Sequence, residues 1–206
     1  MDSTQTKRPR LTKKRRALLI LNCLKELYPE APCSLDYETP LQLLIATMLS
    51  AQCTDARVNM VTPALFDRFP TVTDYAEADV VEIESYDNST GNNRNKAKNI
   101  RAACEKIILD FGGEVPQSMD ALTRLPGVAR KTANVVMSMA FGIPTMAVDT
   151  HVFRIGHRMG MAPGKDPDEV ETILMKVIPE DYLFHAHHWL ILHGRYVCKA
   201  RKPDCE

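Results

Sequence analysis

Residues 118–142 read SMDALTRLPGVARKTANVVMSMAFG, and this stretch decides the fold. Ser118 is typical of a helix N-cap, because its hydroxyl can accept a hydrogen bond from an amide of the first turn. The Leu-Pro-Gly-Val sequence at 125–128 ends this first short helix. A second helix then runs to Phe141, and Gly142 ends it. The stretch therefore predicts two helices joined by a tight turn.

The turn between these helices is suited to binding a phosphate. Gly127 allows a close approach of the backbone, and the amides in the first turn of the second helix have no partners within the helix. Together with the helix dipole, these amides can hold a phosphate. The pattern LPGVARKTA resembles the helix-hairpin-helix motif of DNA-repair proteins, and it predicts DNA contacts at Gly127, Ala129 and Arg130. The alternative is an ordinary pair of helices with a Pro-Gly turn.

The rest of the chain continues the helical pattern, so the predicted fold class is all-α. Pro and Gly residues separate the segments, and no run of alternating, strand-like residues occurs. Within the second helix of the hairpin, Ala133, Val136, Met137 and Ala140 form a predicted buried stripe. Apolar residues recur at helical spacing in segments that predict nine or ten short helices: 17–28, 40–51, 56–69, 96–111, 118–124, 129–141, 148–159, 168–178 and 183–194.

The composition permits a folded protein but does not by itself indicate a nucleic-acid partner. The 206 residues fit one compact unit or two small lobes, and 45% of them are hydrophobic. The 26 basic and 26 acidic residues cancel, which argues against a uniformly basic binding domain. Basic residues nevertheless gather in 1–16, 94–106 and 195–202, and acidic residues in 67–87. A positive face would suit a polyanion, although ordinary solvated helix faces would give the same pattern.

Residues 1–16 are expected to form a disordered basic arm, and the chain is expected to be cytoplasmic. The apolar run after the arm, 17–21, is too short for a signal peptide, and no segment reaches a membrane span of about 20 residues. No membrane partner is therefore expected, and thiols stay reduced in such a compartment. Of the six cysteines, four are expected in or near the core: Cys23, Cys33, Cys53 and Cys104.

Lys131 and Asp149 are the candidate catalytic residues. Lys131 falls in the first turn of the second hairpin helix, where the dipole disfavours a cation, and partial burial would also favour the neutral amine. A neutral lysine amine can attack an electrophilic sugar carbon and form a Schiff base. Asp149 precedes an amphipathic helix, where it is placed to cap that helix or to handle protons. A carboxylate beside the lysine would favour the ammonium instead, and the sequence leaves that balance open.

Much of the chain resembles the endonuclease III family of DNA glycosylases, on four stretches: 43–55, 125–136, 147–151 and 187–196. The resemblance spans residues 17–205 and implies a two-lobed helical DNA glycosylase fold with DNA bound between the lobes. One lobe is expected to be a six-helix barrel over 34–143 that carries the helix-hairpin-helix motif at 118–141. The other lobe is expected to combine 17–33 with 144–206.

The resemblance also implies a base-excision-repair DNA glycosylase with AP lyase activity. Lys131 takes the place of the family's nucleophile, and Asp149 that of its essential carboxylate. An oxidised pyrimidine is flipped out of the duplex, Lys131 displaces the base at C1′, and β-elimination cuts the strand 3′ to the site. The implied partner is double-stranded DNA containing damaged pyrimidines or abasic sites. The protein is expected to act as a monomer, associated with the nucleoid in a bacterium.

Two further positions match family residues that contact DNA. Gln52 matches the residue that fills the gap left by the flipped base, although a helix-end glutamine facing solvent is the alternative. Asn92 stands where the family has an apolar side chain that wedges into the DNA stack, and Asn93 stands where it has an aromatic residue. A polar wedge buries less apolar area, although an Asn side chain could instead hydrogen-bond the orphaned base. We therefore expect weaker base removal from paired lesions.

The C-terminal cysteines predict an incomplete iron–sulfur segment. The family holds a four-iron, four-sulfur (4Fe-4S) cluster with cysteines spaced C-x6-C-x2-C-x5-C, and Cys198 and Cys205 match the first two ligands. The third and fourth positions would follow Glu206, the last residue of the sequence. Because four thiolates normally hold such a cluster, we expect a truncated segment and no stably held cluster in this chain.

Other functions remain open on the sequence alone. Mismatch-specific adenine glycosylases typically lack a lysine at the place of Lys131, and 8-oxoguanine glycosylases lack the cysteine pattern that begins at Cys198. A non-catalytic helix-hairpin-helix DNA-binding protein would not need both Lys131 and Asp149. An inactive, truncated product is the last alternative. A nicking assay on a duplex with an abasic site separates these classes.

Overall fold

The structure, a computed structural model, describes residues 11–31, 33–86 and 93–204. Within these residues it contains helices and no strand, which confirms the all-α prediction. The described helices are α1 (Lys13–Leu27), α2 (Pro40–Leu49), α3 (Asp55–Arg68), α4 (Val72–Glu77), α5 (Val80–Tyr86), α6 (Asn93–Phe111), α7 (Met119–Thr123), α8 (Arg130–Phe141), α9 (Thr150–Arg158), α10 (Pro167–Val177) and α11 (Glu180–Tyr196).

The sequence pattern missed α4 and α5, which lie in the acidic stretch 67–87. They are six and seven residues long, and each has one fully buried side chain, Tyr75 in α4 and Ile83 in α5. A single buried position per helix gives no helical period to detect. The capping box between Thr71 and Asp74 at the start of α4 is the local signal that would have found it.

The chain divides into two compact units, one comprising Met1–Ala31 with Val148–Glu206 and the other Pro32–Ala147. The first unit contains α1, α9, α10 and α11, and the second contains α2 to α8. The division into a barrel over 34–143 and a lobe built from 17–33 and 144–206 stays a prediction, as does the number of helices in the barrel.

Helix α2 forms the centre of the second unit. Thr39 caps its N-terminus, and Pro40 occupies the first turn, where a missing amide hydrogen has no intrahelical partner to lose. Leu41 and every residue from Leu43 to Leu49 are buried. A helix buried around its whole circumference needs neighbours on several sides, and α3, α6 and α8 all contact it. The elements that carry the candidate DNA-contacting residues of this unit therefore share one buried helix.

Helix α6 corrects the interpretation of the basic stretch 94–106. Lys96 is only 8% exposed, so it does not belong to a solvated positive face. Two other cations of the helix pair with acids one turn later, Arg101 with Glu105 at 2.9 Å and Lys106 with Asp110 at 2.6 Å. The positive face on α6 is therefore smaller than the sequence predicts.

In the first unit, α11 contacts both α1 and α9. The Trp189 indole Nε1 donates a hydrogen bond to the backbone carbonyl of Tyr28 at 3.0 Å, which ties the end of α1 to α11. The Tyr182 hydroxyl donates to the Asn22 side-chain oxygen at 2.7 Å and adds a second link between the same helices. These bonds explain why residues at the two ends of the chain fold together.

The cysteines within 11–31, 33–86 and 93–204 form no disulfide, and three of the four predicted core or near-core cysteines are buried or half-buried. Cys104 is buried and Cys33 and Cys53 are half-buried, whereas Cys23 is exposed, so that prediction was wrong. Leu21 and Leu24 form the buried stripe of α1, and the helical rotation carries Cys23 off that stripe. Burial raises the pKa of the Cys104 thiol to about 12 and keeps it uncharged. Within the described ranges, no helix combines the length and the apolar character needed to cross a membrane.

Candidate DNA-binding and catalytic site

The hairpin predicted at 118–141 forms as α7, a tight turn and α8. The Ser118 hydroxyl caps α7 by accepting a hydrogen bond from the Ala121 amide at 3.3 Å. At the other end, Gly142 adopts a left-handed conformation with φ 65°. The Gly142 and Ile143 amides then donate back to carbonyls of the last turn of α8, at 3.1 and 3.0 Å. Both end signals read from the sequence are confirmed.

The buried face of α8 differs in part from the predicted stripe. Ala133 and Val136 are buried, and Met137 and Ala140 are half-buried against the core. Asn134 and Ser138 are buried as well, which the apolar pattern did not predict. The Thr145 hydroxyl donates to the backbone carbonyl of Asn134 at 2.7 Å, so the segment after α8 folds back along the helix.

The turn itself requires a glycine for two separate reasons. Gly127 has φ 76°, a conformation that disfavours every residue with a side chain. A Cβ atom built on Gly127 would also lie 2.8 Å from the Cβ atom of Asn99 on α6, closer than two carbons can approach. Leu125 and Val128 are buried on either side of the turn and anchor it to the core. The position of the turn is therefore fixed by packing as well as by its own backbone.

The start of α8 has no side-chain cap. Its N-cap is Ala129, which makes no side-chain capping hydrogen bond, and the first turn contains no acidic residue. The helices before and after it in the sequence are capped, α7 by Ser118 and α9 by Asp149. An uncapped helix start with exposed Ala129, Arg130 and Lys131 can accept an anion such as a phosphate.

Lys131 is the second residue of α8, and its side chain is exposed. The partial burial that the sequence argument invoked for this amine is not found, so that expectation was wrong. The amine instead lies at the surface of the unit, beside the uncapped amides.

Asp149 caps α9, as its position in the sequence predicted. Its Oδ1 atom accepts hydrogen bonds from the amides of His151 at 2.9 Å and Val152 at 2.8 Å. Both bonds end on the same oxygen, which fixes the carboxylate while leaving Oδ2 to other partners. Asp149 belongs to the unit that contains α9, and Lys131 belongs to the unit Pro32–Ala147.

Gln52 lies in the turn after α2 in a left-handed conformation, with φ 60°. Such a conformation is uncommon for a residue with a side chain, and it clusters at functional positions. The exposed side chain lines a pocket of about 190 Å³ with Met48, Ala51, Asn95, Lys96, Asn99 and Gly127. The structure thus brings Gln52 and the hairpin glycine to one pocket, whereas Asn92 lies outside the described residues.

Lys96 is the residue of this pocket that the sequence analysis missed. Its Nζ atom donates a hydrogen bond to the backbone carbonyl of Leu49, the last residue of α2, at 2.7 Å. The signal was present in the sequence, because Lys96 falls in helical register with Ile100, Ala103 and Ile107 on the buried stripe of α6. A lysine at an apolar-stripe position indicates a buried cation with a specific partner.

Cys198, the first of the expected cluster ligands, is buried and surrounded by hydrogen bonds from α9. The Arg158 Nη1 atom lies 3.5 Å from the Cys198 Sγ atom and 2.7 Å from the carbonyl of Lys199. The Arg154 Nε atom donates to the Cys198 carbonyl at 3.1 Å. Cys205 lies outside the described residues, and the described ranges contain no group of three or more His, Cys, Asp or Glu side chains that could hold a metal ion. The described donors therefore do not by themselves fit a four-thiolate cluster.

An all-helical chain in which a glycine turn leads into an uncapped helix has the features of the helix-hairpin-helix class of DNA-binding proteins. Comparison with known families agrees with this class. Residues 45–180 match the model of the HhH-GPD superfamily base excision DNA repair protein. This match covers more than half of the chain and includes the hairpin, α8 and α9.

Curated relatives and solved structures narrow the assignment. Endonuclease III of Synechocystis sp. is 57% identical over 195 residues, which cover 94% of this chain and 89% of that protein. Endonuclease III of Escherichia coli K12 is 46% identical over 192 residues, with 93% and 91% coverage. A solved structure of a trapped endonuclease III–DNA covalent intermediate matches with a TM-score of 0.89 and 47% identity, covering 95% of this chain and 92% of that one. The chain belongs to the endonuclease III family and is a base-excision-repair DNA glycosylase and AP lyase.

Proposed function

We propose that Lys131 is the nucleophile of this DNA glycosylase and AP lyase, and that it attacks C1′ of a damaged nucleotide in double-stranded DNA. The observation that carries the proposal is the position of the amine on α8. Lys131 is exposed in the first turn of a helix whose amides have no side-chain cap. A phosphate bound by those amides would bring a neighbouring sugar to the Lys131 Nζ atom.

The proposed reaction proceeds through a covalent imine. The unprotonated Nζ attacks C1′, the bond from C1′ to the base breaks, and the base leaves with the bonding electron pair and takes up a proton. The nitrogen loses its extra proton, and opening of the sugar ring with protonation of O4′ gives the imine between Nζ and C1′. Removal of a proton from C2′ then expels the oxygen on C3′, which cuts the strand 3′ to the lesion.

We propose that Asp149 handles protons in this reaction. Two amides of α9 hold its Oδ1 atom, so the carboxylate is fixed before DNA binds. The Oδ2 atom, which these two amides do not hold, is the one that would accept a proton. A fixed negative charge would also stabilise the positive charge that develops on the sugar as the base departs.

The proposed DNA contacts come from three segments of the sequence. The amides around Gly127, Ala129 and Arg130 would hold a phosphate, Gln52 would fill the gap left by the flipped nucleotide, and Asn92 would stand at the wedge position. The left-handed backbone of Gln52 supports a special role for this residue, since such strain is retained where the surrounding structure holds it for function.

The proposed substrates are oxidised pyrimidines and ready-made abasic sites in duplex DNA. Their removal starts with flipping of the nucleotide out of the stack. The chain is proposed to act as a monomer in the cytoplasm, at the nucleoid if the host is a bacterium. Residues 1–206 alone are proposed to hold no stable 4Fe-4S cluster, because they supply only Cys198 and Cys205 of the family's four-cysteine pattern. Absorbance in the visible iron–sulfur band of the purified protein would contradict this last point.

Borohydride trapping on a duplex with an abasic site tests the nucleophile. The unaltered chain should form a covalent protein–DNA product, and Lys131→Ala should form none while still binding the duplex. The matched control is Lys98→Ala, which removes an exposed lysine from α6 and should trap normally. Full trapping by Lys131→Ala would show that another amine is the nucleophile. Binding without trapping or nicking by the unaltered chain would instead indicate a non-catalytic DNA-binding protein.

A further inference from the structure

We propose that Lys96 is a positioning residue that holds the Gln52 turn in the conformation needed to fill the gap in flipped-out DNA. The inference rests on the proposed function, in which Gln52 contacts DNA. It concerns a residue that the reaction itself does not use.

The Lys96 ammonium caps the C-terminal end of α2. The last carbonyls of a helix have no amide partner within the helix, and α2 has no basic residue in its own last turn. The Lys96 Nζ atom donates to the Leu49 carbonyl at 2.7 Å from α6, a helix distant in sequence. A cation at this helix end also interacts favourably with the dipole. Lys96 therefore supplies the charge that the sequence of α2 lacks.

The segment that follows this contact is the turn that presents Gln52. The Ser50 hydroxyl donates to the Thr47 carbonyl at 2.9 Å, and the Cys53 amide donates to the Ser50 carbonyl at 3.1 Å. Between these bonds the backbone at Gln52 turns into the left-handed region, with φ 60°. A residue with a side chain keeps that conformation only where its surroundings impose it. The bond from Lys96 to Leu49 fixes the point from which this turn starts.

The first two turns of α6, which carry Lys96, also contact the hairpin. Asn99, one turn after Lys96, lies against Gly127 so closely that a Cβ atom there would be 2.8 Å away. Asn95 and Asn99 line the pocket that Gln52 and Gly127 share. The start of α6 thus fixes two separate DNA-contacting segments relative to each other. Lys96 is suited to fixing these segments, because its ammonium holds the Leu49 carbonyl oxygen without filling the pocket.

Burial of the charge is itself an argument for a specific role. An ammonium that is 8% exposed has lost most of its hydration, which is unfavourable unless protein groups replace the water. An apolar side chain of similar length would fill the same space without that cost. The lysine is therefore better explained by the carbonyl that it binds than by packing alone.

The test compares Lys96→Met, Lys96→Arg and Lys98→Met in two assays. Lys98 is exposed on the same helix, so Lys98→Met removes an equal charge without touching Leu49. The first assay measures single-turnover base removal from a duplex with a paired oxidised pyrimidine, alongside borohydride trapping on an abasic duplex. The second measures fluorescence of 2-aminopurine placed opposite a tetrahydrofuran abasic analogue, which reports whether a side chain enters the gap.

Lys96→Met should slow base removal by about ten- to a hundredfold, the size expected when a contact is misplaced by a fraction of an ångström to 1 Å. Lys96→Met should reduce the change in 2-aminopurine fluorescence on binding as much as Gln52→Ala does. Borohydride trapping on abasic DNA should stay within about twofold of that of the unaltered chain. Lys96→Arg, which keeps a donor for the carbonyl, should recover part of both signals. Combining Lys96→Met with Gln52→Ala should add no further loss, because both changes remove one function.

Three outcomes would overturn the inference. The first is a normal 2-aminopurine signal in Lys96→Met, and the second is additive losses in the double variant. The third applies if Lys96→Met fails to fold: a normal 2-aminopurine signal in Lys96→Ala, which also lacks a donor for the Leu49 carbonyl, would then overturn the inference. Absence of any effect of Gln52→Ala would refute the proposed DNA contact rather than the anchoring. Failure of borohydride to trap the unaltered chain on an abasic duplex would refute the proposed reaction itself.

Discussion

Gly127 and Asn99 approach each other so closely that a Cβ atom on Gly127 would lie 2.8 Å from the Asn99 Cβ atom. The Asn99 Cβ atom is fixed to the backbone of α6 and cannot move aside as the end of a long side chain could. Gly127 also has φ 76°, where residues with side chains are strained. The hairpin turn and α6 therefore fit together only when residue 127 is glycine.

Gly127→Ala should lower the free energy of unfolding by about 2–4 kcal/mol, the sum of left-handed strain and overpacking. Gly142→Ala is the matched control, since Gly142 has φ 65° but open space where its Cβ atom would lie. That control should cost only the strain, about 1–2 kcal/mol. Urea unfolding measures both. Equal losses in the two variants would show that the contact with Asn99 relaxes at no cost.

Asp149 has a structural role and a proposed chemical role, and two substitutions separate them. Asn at position 149 keeps an oxygen for the amides of His151 and Val152, so Asp149→Asn should leave stability nearly unchanged. Asp149→Ala loses the cap and should cost about 1 kcal/mol of unfolding free energy. Both variants should slow base removal by about a hundredfold or more, because neither has a carboxylate to accept a proton.

Single-turnover kinetics of the two Asp149 variants measure the chemical role, and urea unfolding measures the structural role. If Asp149→Asn removes bases at the normal rate, the residue acts only as a helix cap. If both variants lose activity while only Asp149→Ala loses stability, the carboxylate charge is needed for chemistry.

The features that the sequence predicted correctly are those set by local chemistry. Ser118, Asp149 and Gly142 mark helix ends through bonds to residues no more than a few positions away, so their neighbours alone identify them. The helix-end signals in 118–142 placed the hairpin, and the apolar period found the long helices, whereas the catalytic roles of Lys131 and Asp149 stay predictions. The short helices α4 and α5 escaped because one buried side chain each makes no period.

The features that could not be predicted depend on contacts between distant parts of the chain. The helical register marks Lys96 as a buried position, but its partner is a carbonyl 47 positions away, which the register does not identify. The left-handed backbone of Gln52 has no sequence signal either, since glycine or asparagine is the usual residue there. Lys131 is exposed rather than partly buried, because the position of a residue in a helix does not determine which other segments cover it.

Asn93 offers a stabilising substitution. Its side-chain Oδ1 atom is buried and has no hydrogen-bond partner in the structure as described. An unsatisfied buried acceptor costs about 1–3 kcal/mol. Asn93→Phe, which restores the aromatic character expected of the family, should therefore raise the unfolding free energy by about 1 kcal/mol. Asn93→Gln keeps the acceptor and should give no gain, and a gain of equal size from both would contradict this explanation.

Asn92 lies outside the described residues, and its prediction comes from the sequence alone. Asn92→Leu supplies an apolar wedge, which should hold a distorted duplex better and speed base removal from a paired lesion. Strand cutting at ready-made abasic sites, where less pairing has to be broken, should change little. Asn92→Ala is the control, because it removes the amide without supplying a wedge. Unchanged base removal by Asn92→Leu would show that the wedge position does not limit the reaction.

Tyr75 gives the protein a predicted weakness at alkaline pH. Its ring packs against Phe69 with centroids 5.0 Å apart, and its hydroxyl is buried with no hydrogen-bond partner among the described residues. Burial raises the pKa of the Tyr75 hydroxyl well above its usual value of 10.0. The folded protein therefore keeps the phenol neutral where the unfolded chain ionises. The stability that follows is fully present below pH 10 and is lost as the pH rises above it.

Tyr75→Phe removes this ionisation and the unsatisfied hydroxyl together. At neutral pH the variant should be as stable as the unaltered chain or more so, by up to about 1 kcal/mol, because no hydrogen bond is broken. Above pH 10 its unfolding free energy should fall less steeply, since one fewer buried acid is pulled towards the unfolded state. Urea unfolding from pH 7 to 11 measures the slope. A variant that is less stable at pH 7, with an unchanged alkaline slope, would mean that the hydroxyl makes a stabilising bond in solution.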